Sequence, residues 1–136
     1  MIVYIAAQYS RKNEMSALVS LLRDHNIHVT SRWLQETLFP TVTLAELSPA
    51  YWTSTAVIDL EDIDKSDTIV FFSEDPLVGT PRGGRHVEFG YALAKGKRIV
   101  VIGNPENIFH FLPQIVHYST LQHFLEAEEI HTNEGI

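Results

Sequence analysis

Three stretches of this sequence are apolar at nearly every position: Ile2 to Ala7, Thr68 to Ser73 and Arg98 to Gly103. A strand with one wet face alternates polar and apolar residues, so runs without alternation must be covered on both faces. Parallel strands covered in this way are joined by crossovers of a dozen residues or more, usually helices. The intervening segments supply them. Lys12 to His25 places Met15, Leu18, Val19 and Leu22 at helical spacing. Ser48 followed by Pro49 gives an N-cap and a first helical residue for a helix expected to reach about Asp64. A third helix is expected from Gly84 to about Lys95, closed by Gly96. Ile27 to Thr30 reads as a second strand and Ile115 to Tyr118 as a short edge strand. Pro105 to Leu112 reads as a helical turn, and Ser119 or Thr120 caps a last helix to about Ile130.

This order predicts an α/β fold: a flavodoxin-like, doubly wound, five-stranded parallel sheet in the order 2-1-3-4-5 with helices on both faces. At 136 residues the chain is one domain, expected over 1–130 with a frayed tail at 131–136. Such sheets bind ligands at the carboxyl ends of their strands, where the strand order reverses. That point gathers the loop after Ala7, the loop after Ser73 and the helix start at Gly84. The irregular segment 31–47, with Trp33, Leu38, Phe39 and Pro40, reads as a lid or an active-site excursion. Its aromatics are either base-stacking groups or local core anchors.

Composition narrows the partners. No apolar run approaches the roughly 18 residues of a membrane span. The apolar start, lacking a basic leader, reads as a strand and not as a signal peptide. With no cysteine, disulfides and thiolate chemistry are excluded and a reducing cytoplasm is the expected compartment. A formal charge of −7 argues against a polymeric nucleic acid. Arg82, Arg85 and His86 cluster beside Gly83-Gly84, a scale that suits a small anionic ligand. The histidines lack paired metal-ligand spacing, and no phosphate-loop or dinucleotide motif occurs, so neither a metal nor a cofactor is expected.

Glu88 is the leading candidate for chemistry. It is expected near the first turn of its helix, where the dipole favours a carboxylate, at the mouth of the crevice. A carboxylate there can attack an anomeric carbon. It can equally be a helix cap. Asp59 lies in the acidic run Asp59-Leu60-Glu61-Asp62-Ile63-Asp64, a pattern that commonly marks a solvated helix face. Tyr4 falls mid-strand and reads as a core aromatic with its hydroxyl at an edge. Gln8-Tyr9-Ser10-Arg11 occupies the loop where such sheets hold phosphates, or simply caps a helix.

Together these segments resemble the nucleoside 2-deoxyribosyltransferase superfamily, which includes 2′-deoxynucleoside 5′-monophosphate N-glycosidases and CMP hydrolases. The similarity rests on a first strand of the form V-Y-I-A, here Val3 to Gln8. It rests also on Asp59 before Ser66-Asp67-Thr68-Ile69-Val70. Its most specific part is G-T/G-x-x-E-x-G-x-A-x-A-x-G-K-P/R, here Gly84 to Arg98. The resemblance covers about residues 2–104. It implies that Glu88 forms a glycosyl ester, that Tyr4 orients it and that Asp59 lies near the sugar. It places Ala7, Gln8, Ser10 and Arg11 in the substrate loop and Arg82, Gly83, Gly84 and Arg85 around a 5′-phosphate. Arg82 stands where the hydrolases have a serine. Ser73 stands where several transferases have an acid, with Glu74 and Asp75 beside it. Members often form dimers or larger assemblies, and the segment from Glu106 to His110 is expected to bring Asn107 and His110 to a neighbour's site. The implied reaction breaks or exchanges the N-glycosidic bond of a nucleoside or its 5′-monophosphate, with base release assisted by Asp59, Glu74 or Asp75. A rival reading is a nucleotide-sensing module that keeps the fold without turnover.

Overall fold

The computed structural model describes residues 1–34, 48–74 and 83–134, with side chains through Glu129. Five parallel strands, β1 (Ile2–Ala6), β2 (His28–Val29), β3 (Thr68–Phe72), β4 (Arg98–Ile102) and β5 (Val116–Tyr118), form one sheet in the order β2-β1-β3-β4-β5. The helices are α1 (Lys12–Asp24), α2 (Pro49–Asp64), α3 (Gly84–Ala94) and α4 (Leu121–Glu134). The expected architecture and strand order are those observed.

The unalternating runs do what their pattern demands. Every residue of β3 is buried, and Val3, Tyr4, Ile5 and Ala6 of β1 have no solvent exposure, so both faces of these strands are covered. Met15 and Leu22 of α1, Ile63 of α2, Phe89 and Ala92 of α3, and Phe124 and Leu125 of α4 supply the cover. Ser48 caps α2 as expected, its hydroxyl accepting the Tyr51 N–H at 3.2 Å.

Two boundaries differ from expectation. Strand β2 is only two residues long, because side chains complete its ladder along the β1 edge. The Ile5 N–H donates to Ser31 Oγ at 2.7 Å, and Trp33 Nε1–H donates to the Ile5 carbonyl at 2.9 Å. Trp33 is therefore a core anchor within a short 3₁₀ turn (Arg32–Leu34); residues 35–47, including Leu38, Phe39 and Pro40, lie outside the described residues. Helix α4 runs through the expected frayed tail to Glu134, since nothing from Ile130 to Glu134 breaks a helix before Gly135.

The sheet reverses its order at β1 and β3, whose carboxyl ends open onto Ala7, Gln8, Ser73 and Glu74. Gly103, at φ +110°, lets β4 leave the sheet there; a Cβ at this position would lie 3.0 Å from Ser73 Cβ. Among the described residues, no helix is long and apolar enough to cross a membrane.

Candidate active site

Glu88 sits on the inward face of α3, one turn after Arg85, and its Oε2 accepts a hydrogen bond from the buried Tyr4 hydroxyl. The polar tip of an otherwise apolar strand thus meets the one carboxylate that α3 turns toward β1. Its position corrects the dipole expectation. Glu88 is the fifth residue of α3, and the first turn carries no acid, so the helix N-terminus lies too far away to favour its charge. Burial instead pushes the Glu88 carboxyl up to about 8. The Tyr4 hydrogen bond and the Arg85 charge pull it down, and the Asp59 charge pushes it further up. Tyr4 is itself raised well above its ordinary value by burial and by the negative charges of Glu88, Asp59 and Asp62.

The acidic run on α2 is not a uniform solvated face. Asp62 is buried and accepts from the Arg32 backbone N–H at 2.9 Å and from Arg32 Nε at 2.8 Å. Glu61 pairs with Arg32, and Asp64 accepts from the Tyr91 hydroxyl. Asp59, three residues before Asp62 and half-buried, lies close enough to Glu88 and Tyr4 to act on both electrostatically.

Arg85, expected at the phosphate, and Arg11, expected in the substrate loop, both pair with carboxylates of their own chain. Arg85 is 5% exposed and spends its guanidinium within the chain. It donates to Glu106 at 2.6 and 3.0 Å and to the Phe72 carbonyl at 3.2 Å, and lies 4.9 Å above the Phe71 ring. Arg11 donates to both Glu14 oxygens at 2.8 Å and to Glu74 at 2.7 Å. These carboxylates hold it well above its ordinary pKa. Both guanidinium groups are thus held by carboxylates of their own chain. Arg82, with Asp75, lies outside the described residues.

The strand-end loops retain groups that face the crevice. Gln8 follows the buried Ala7; its Oε1 accepts from Ser10 Oγ at 3.3 Å, while its Nε2 is buried with no hydrogen-bond partner among the described residues. Ser73 is half-buried, and its hydroxyl donates to the Asn104 carbonyl at 2.6 Å. Gly83, in the left-handed region at φ +85°, caps α3 and turns the chain into Gly84.

Sequence reasoning missed the role of Glu106. It was expected to serve a neighbouring subunit, yet it clamps Arg85 and also accepts the Glu74 backbone N–H at 3.2 Å. No local pattern announces an ion pair spanning 21 residues. His110, expected at a neighbour's site, is corrected too. It is wholly buried in its own chain against Phe71 and Phe89, with Nδ1 accepting the Glu106 N–H at 3.0 Å. Burial pushes its imidazole below the usual value. Asn107 caps a 3₁₀ turn (Ile108–Phe111), its Oδ1 accepting the Phe109 N–H, and its amide lies 3.3 Å from His86 Nδ1. These two residues border a groove of about 340 Å³ lined by His86, Phe89, Gly90, Leu93, Asn107 and Phe109.

This arrangement defines a class: a doubly wound α/β fold with a tyrosine-held carboxylate at its switch point. No protein-family model and no curated protein matches the sequence. Solved structures do match. The CMP N-glycosidase BcmB of Clostridium botulinum matches with a TM-score of 0.59 at 20% identity, over 96% of this chain and 99% of that one. A 2-deoxyribosyltransferase of the psychrotolerant bacterium Bacillus psychrosaccharolyticus matches with a TM-score of 0.70 at 20% identity, over 92% of this chain and 90% of that one. The likeness is one of fold, across nearly the whole of each chain.

Proposed function

We propose that this chain is a member of the nucleoside 2-deoxyribosyltransferase superfamily that breaks or exchanges the N-glycosidic bond of a nucleoside or nucleoside 5′-monophosphate. The observation that carries the reading is the Tyr4–Glu88 hydrogen bond beside Asp59 at the switch point. The shared fold with a CMP N-glycosidase and a 2-deoxyribosyltransferase supports it.

Tyr4 occupies Oε2 of Glu88, which leaves Oε1 to address C1′ of the sugar. The ionised carboxylate attacks C1′, forming a C–O ester bond as the C1′–N bond breaks and its electron pair leaves on the base. The base leaves with a proton: Asp59, ionised while Glu88 holds the site's proton, takes that proton as Glu88 ionises and passes it to the base. Asp59 is better suited than Glu74, whose carboxylate is engaged by Arg11. Water then attacks C1′ and restores Glu88, or a second base does so and yields a new nucleoside. With its pKa near 8, Glu88 is largely protonated in the resting site at neutral pH, and the developing oxocarbenium charge favours the ionised form that reacts.

A second copy of this chain is the expected partner. Val87, Ile108, Phe109 and Phe111 are large apolar side chains exposed around the α3 groove. The net charge of −7 disfavours polymeric nucleic acid, and the absence of cysteine suits a reducing cytoplasm.

Neutralisation of Arg11 and Arg85 and the protonated resting state of Glu88 favour one other reading, a nucleotide-sensing module without turnover. Chromatography separates the two. Ribo- and deoxyribonucleosides and their 5′-monophosphates are incubated with wild type and Glu88→Gln, with and without an acceptor base. Free base from wild type alone supports the glycosidase, and an exchanged nucleoside supports the transferase. Saturable binding without base release supports the sensor.

A further inference from the structure

We propose that Arg85 is a positioning residue for Glu88: a fixed positive charge, clamped by Glu106, that holds the neighbouring carboxylate in readiness to attack. The inference rests on Glu88 being the nucleophile and assigns Arg85 a task different from phosphate binding.

The geometry is specific. Arg85 and Glu88 are three residues apart on the same inward stripe of α3, so their side chains are neighbours. The guanidinium cannot wander: Glu106 takes two of its N–H groups, the Phe72 carbonyl takes another, and the Phe71 ring lies against it. A guanidinium this enclosed acts as a permanent charge in a medium of low dielectric, where its field is felt more strongly than in water.

The other groups around Glu88 define what that field does. From β1 comes the Tyr4 hydroxyl, a hydrogen-bond donor; from α2 comes the Asp59 carboxylate, which pushes a proton onto Glu88. Asp62 acts on Tyr4 and is itself paired with Arg32. Apart from Thr68 at the start of β3, whose hydroxyl donates to Asp67, the buried residues of β3 and β4 are apolar, Phe71 among them. Among the described residues, Arg85 is the cation whose charge acts on Glu88 in the sense opposite to that of Asp59. Glu106 is the counterweight: its negative charge sets how much of the Arg85 field reaches Glu88. His86, beside both, is held below its ordinary pKa by burial and by Arg85, and so stays neutral at pH 7.

The two partners therefore act in opposite directions. Replacing Glu106 by glutamine keeps the hydrogen-bonding shape and removes the negative charge, which lets more of the Arg85 field reach Glu88. Replacing Arg85 by methionine removes the field. The test measures the pH dependence of kcat/KM for base release in wild type, Glu106→Gln, Arg85→Met and Arg85→Lys. In parallel, the carboxyl carbon of Glu88 is titrated by NMR in protein labelled at glutamate, with Glu88→Gln to assign the signal. The expected result is a rising limb that moves down by roughly half a pH unit or more in Glu106→Gln and up by a similar amount in Arg85→Met. Arg85→Lys, which keeps the charge, stays near wild type even where its melting temperature falls. A limb and an NMR titration that stay put in Glu106→Gln and Arg85→Met, with only stability lost, would overturn the proposal and make the pair a simple tie between α3 and the loop after β4. If Arg85→Met does not fold, Glu106→Gln alone decides by direction. Because the NMR titration needs no turnover, an opposite movement in the two variants without any base release would establish the effect of the Arg85 charge on Glu88 and overturn the glycosidase reading, and with it the readiness to attack.

Discussion

The Tyr4 hydroxyl, on a residue with no solvent exposure, donates its hydrogen bond to Glu88 across 84 residues of sequence. Strand β1 and α3 meet at this polar contact, and its effect on the proton of Glu88 has a definite sign. The hydrogen bond favours the ionised carboxylate and Asp59 disfavours it.

The rising limb of kcat/KM is accordingly expected near pH 8, with Tyr4→Phe moving it up and Asp59→Asn moving it down. At pH 7, Tyr4→Phe loses about tenfold or more in rate, because the ionised fraction of Glu88 falls tenfold for each unit that its pKa rises. Glu88→Gln loses roughly a thousandfold or more at any pH. Steady-state rates across pH 5.5 to 9.5, about the span over which these groups titrate, check all three. Limbs that coincide in wild type, Tyr4→Phe and Asp59→Asn would remove Glu88 as the titrating group.

Stability should carry the same signature. Glu88 keeps its proton in the folded chain up to about pH 8, against an ordinary value of 4.5. Between those values the folded chain binds the proton that the unfolded chain has released. The contribution is therefore fully present below 4.5 and is lost as pH rises through 8, by a few kcal/mol at most. Glu88→Gln lacks this loss. His86 and His110, both lowered, act with the opposite sign at more acidic pH but are common to both proteins. The melting temperature of the variant minus that of wild type should grow from pH 5 to pH 8.5, measured by calorimetry. A flat difference would place the carboxyl in water.

Sheet order was legible because β1, β3 and β4 are too uniformly apolar for any arrangement but a sheet covered on both faces. Glu88 was legible as a candidate because a carboxylate after a glycine turn is a local signal, whereas Tyr4 read locally as a core aromatic and was tied to Glu88 only by the family resemblance. Their electrostatics were not. A helix position alone suggests a dipole-favoured charge, whereas the observed environment is set by what α2 and β1 place opposite. Arg85 shows the same limit. Beside two glycines it reads as an anion ligand, and only the folded chain brings Glu106 onto it. Ser31 and Trp33 finish a strand by side-chain hydrogen bonds, a pairing without periodicity and so invisible to pattern reading.

Gln8 offers a prediction of a different kind. A buried amide donor without a partner among the described residues costs stability unless a ligand takes it. Gln8→Met should raise KM or weaken substrate binding by about tenfold, with kcat changed less, while leaving the melting temperature equal or higher. Kinetics and calorimetry on the same preparation check it. Unchanged KM with lowered stability would mean that the amide is satisfied within the chain.

Gly90 lies mid-helix on the exposed side of α3, and a methyl group there would meet nothing within 4 Å among the described residues beyond its own helical turn. An exposed glycine inside a helix costs about 0.5–1 kcal/mol relative to alanine, and the described residues give no reason to keep it. Close approach of a second copy does, because Gly90 floors the groove whose rim carries the exposed Phe109. The wild-type chain should then sediment as a homo-oligomer, with a melting temperature that rises with protein concentration. Phe109→Glu should yield a monomer, and Gly90→Ala should weaken association several-fold while stabilising the dissociated chain. Sedimentation velocity over a hundredfold dilution series, about 2.7 kcal/mol of mass action, reads each outcome. A wild type that is monomeric throughout, with Gly90→Ala only more stable, would leave the groove open and the site of one chain self-sufficient.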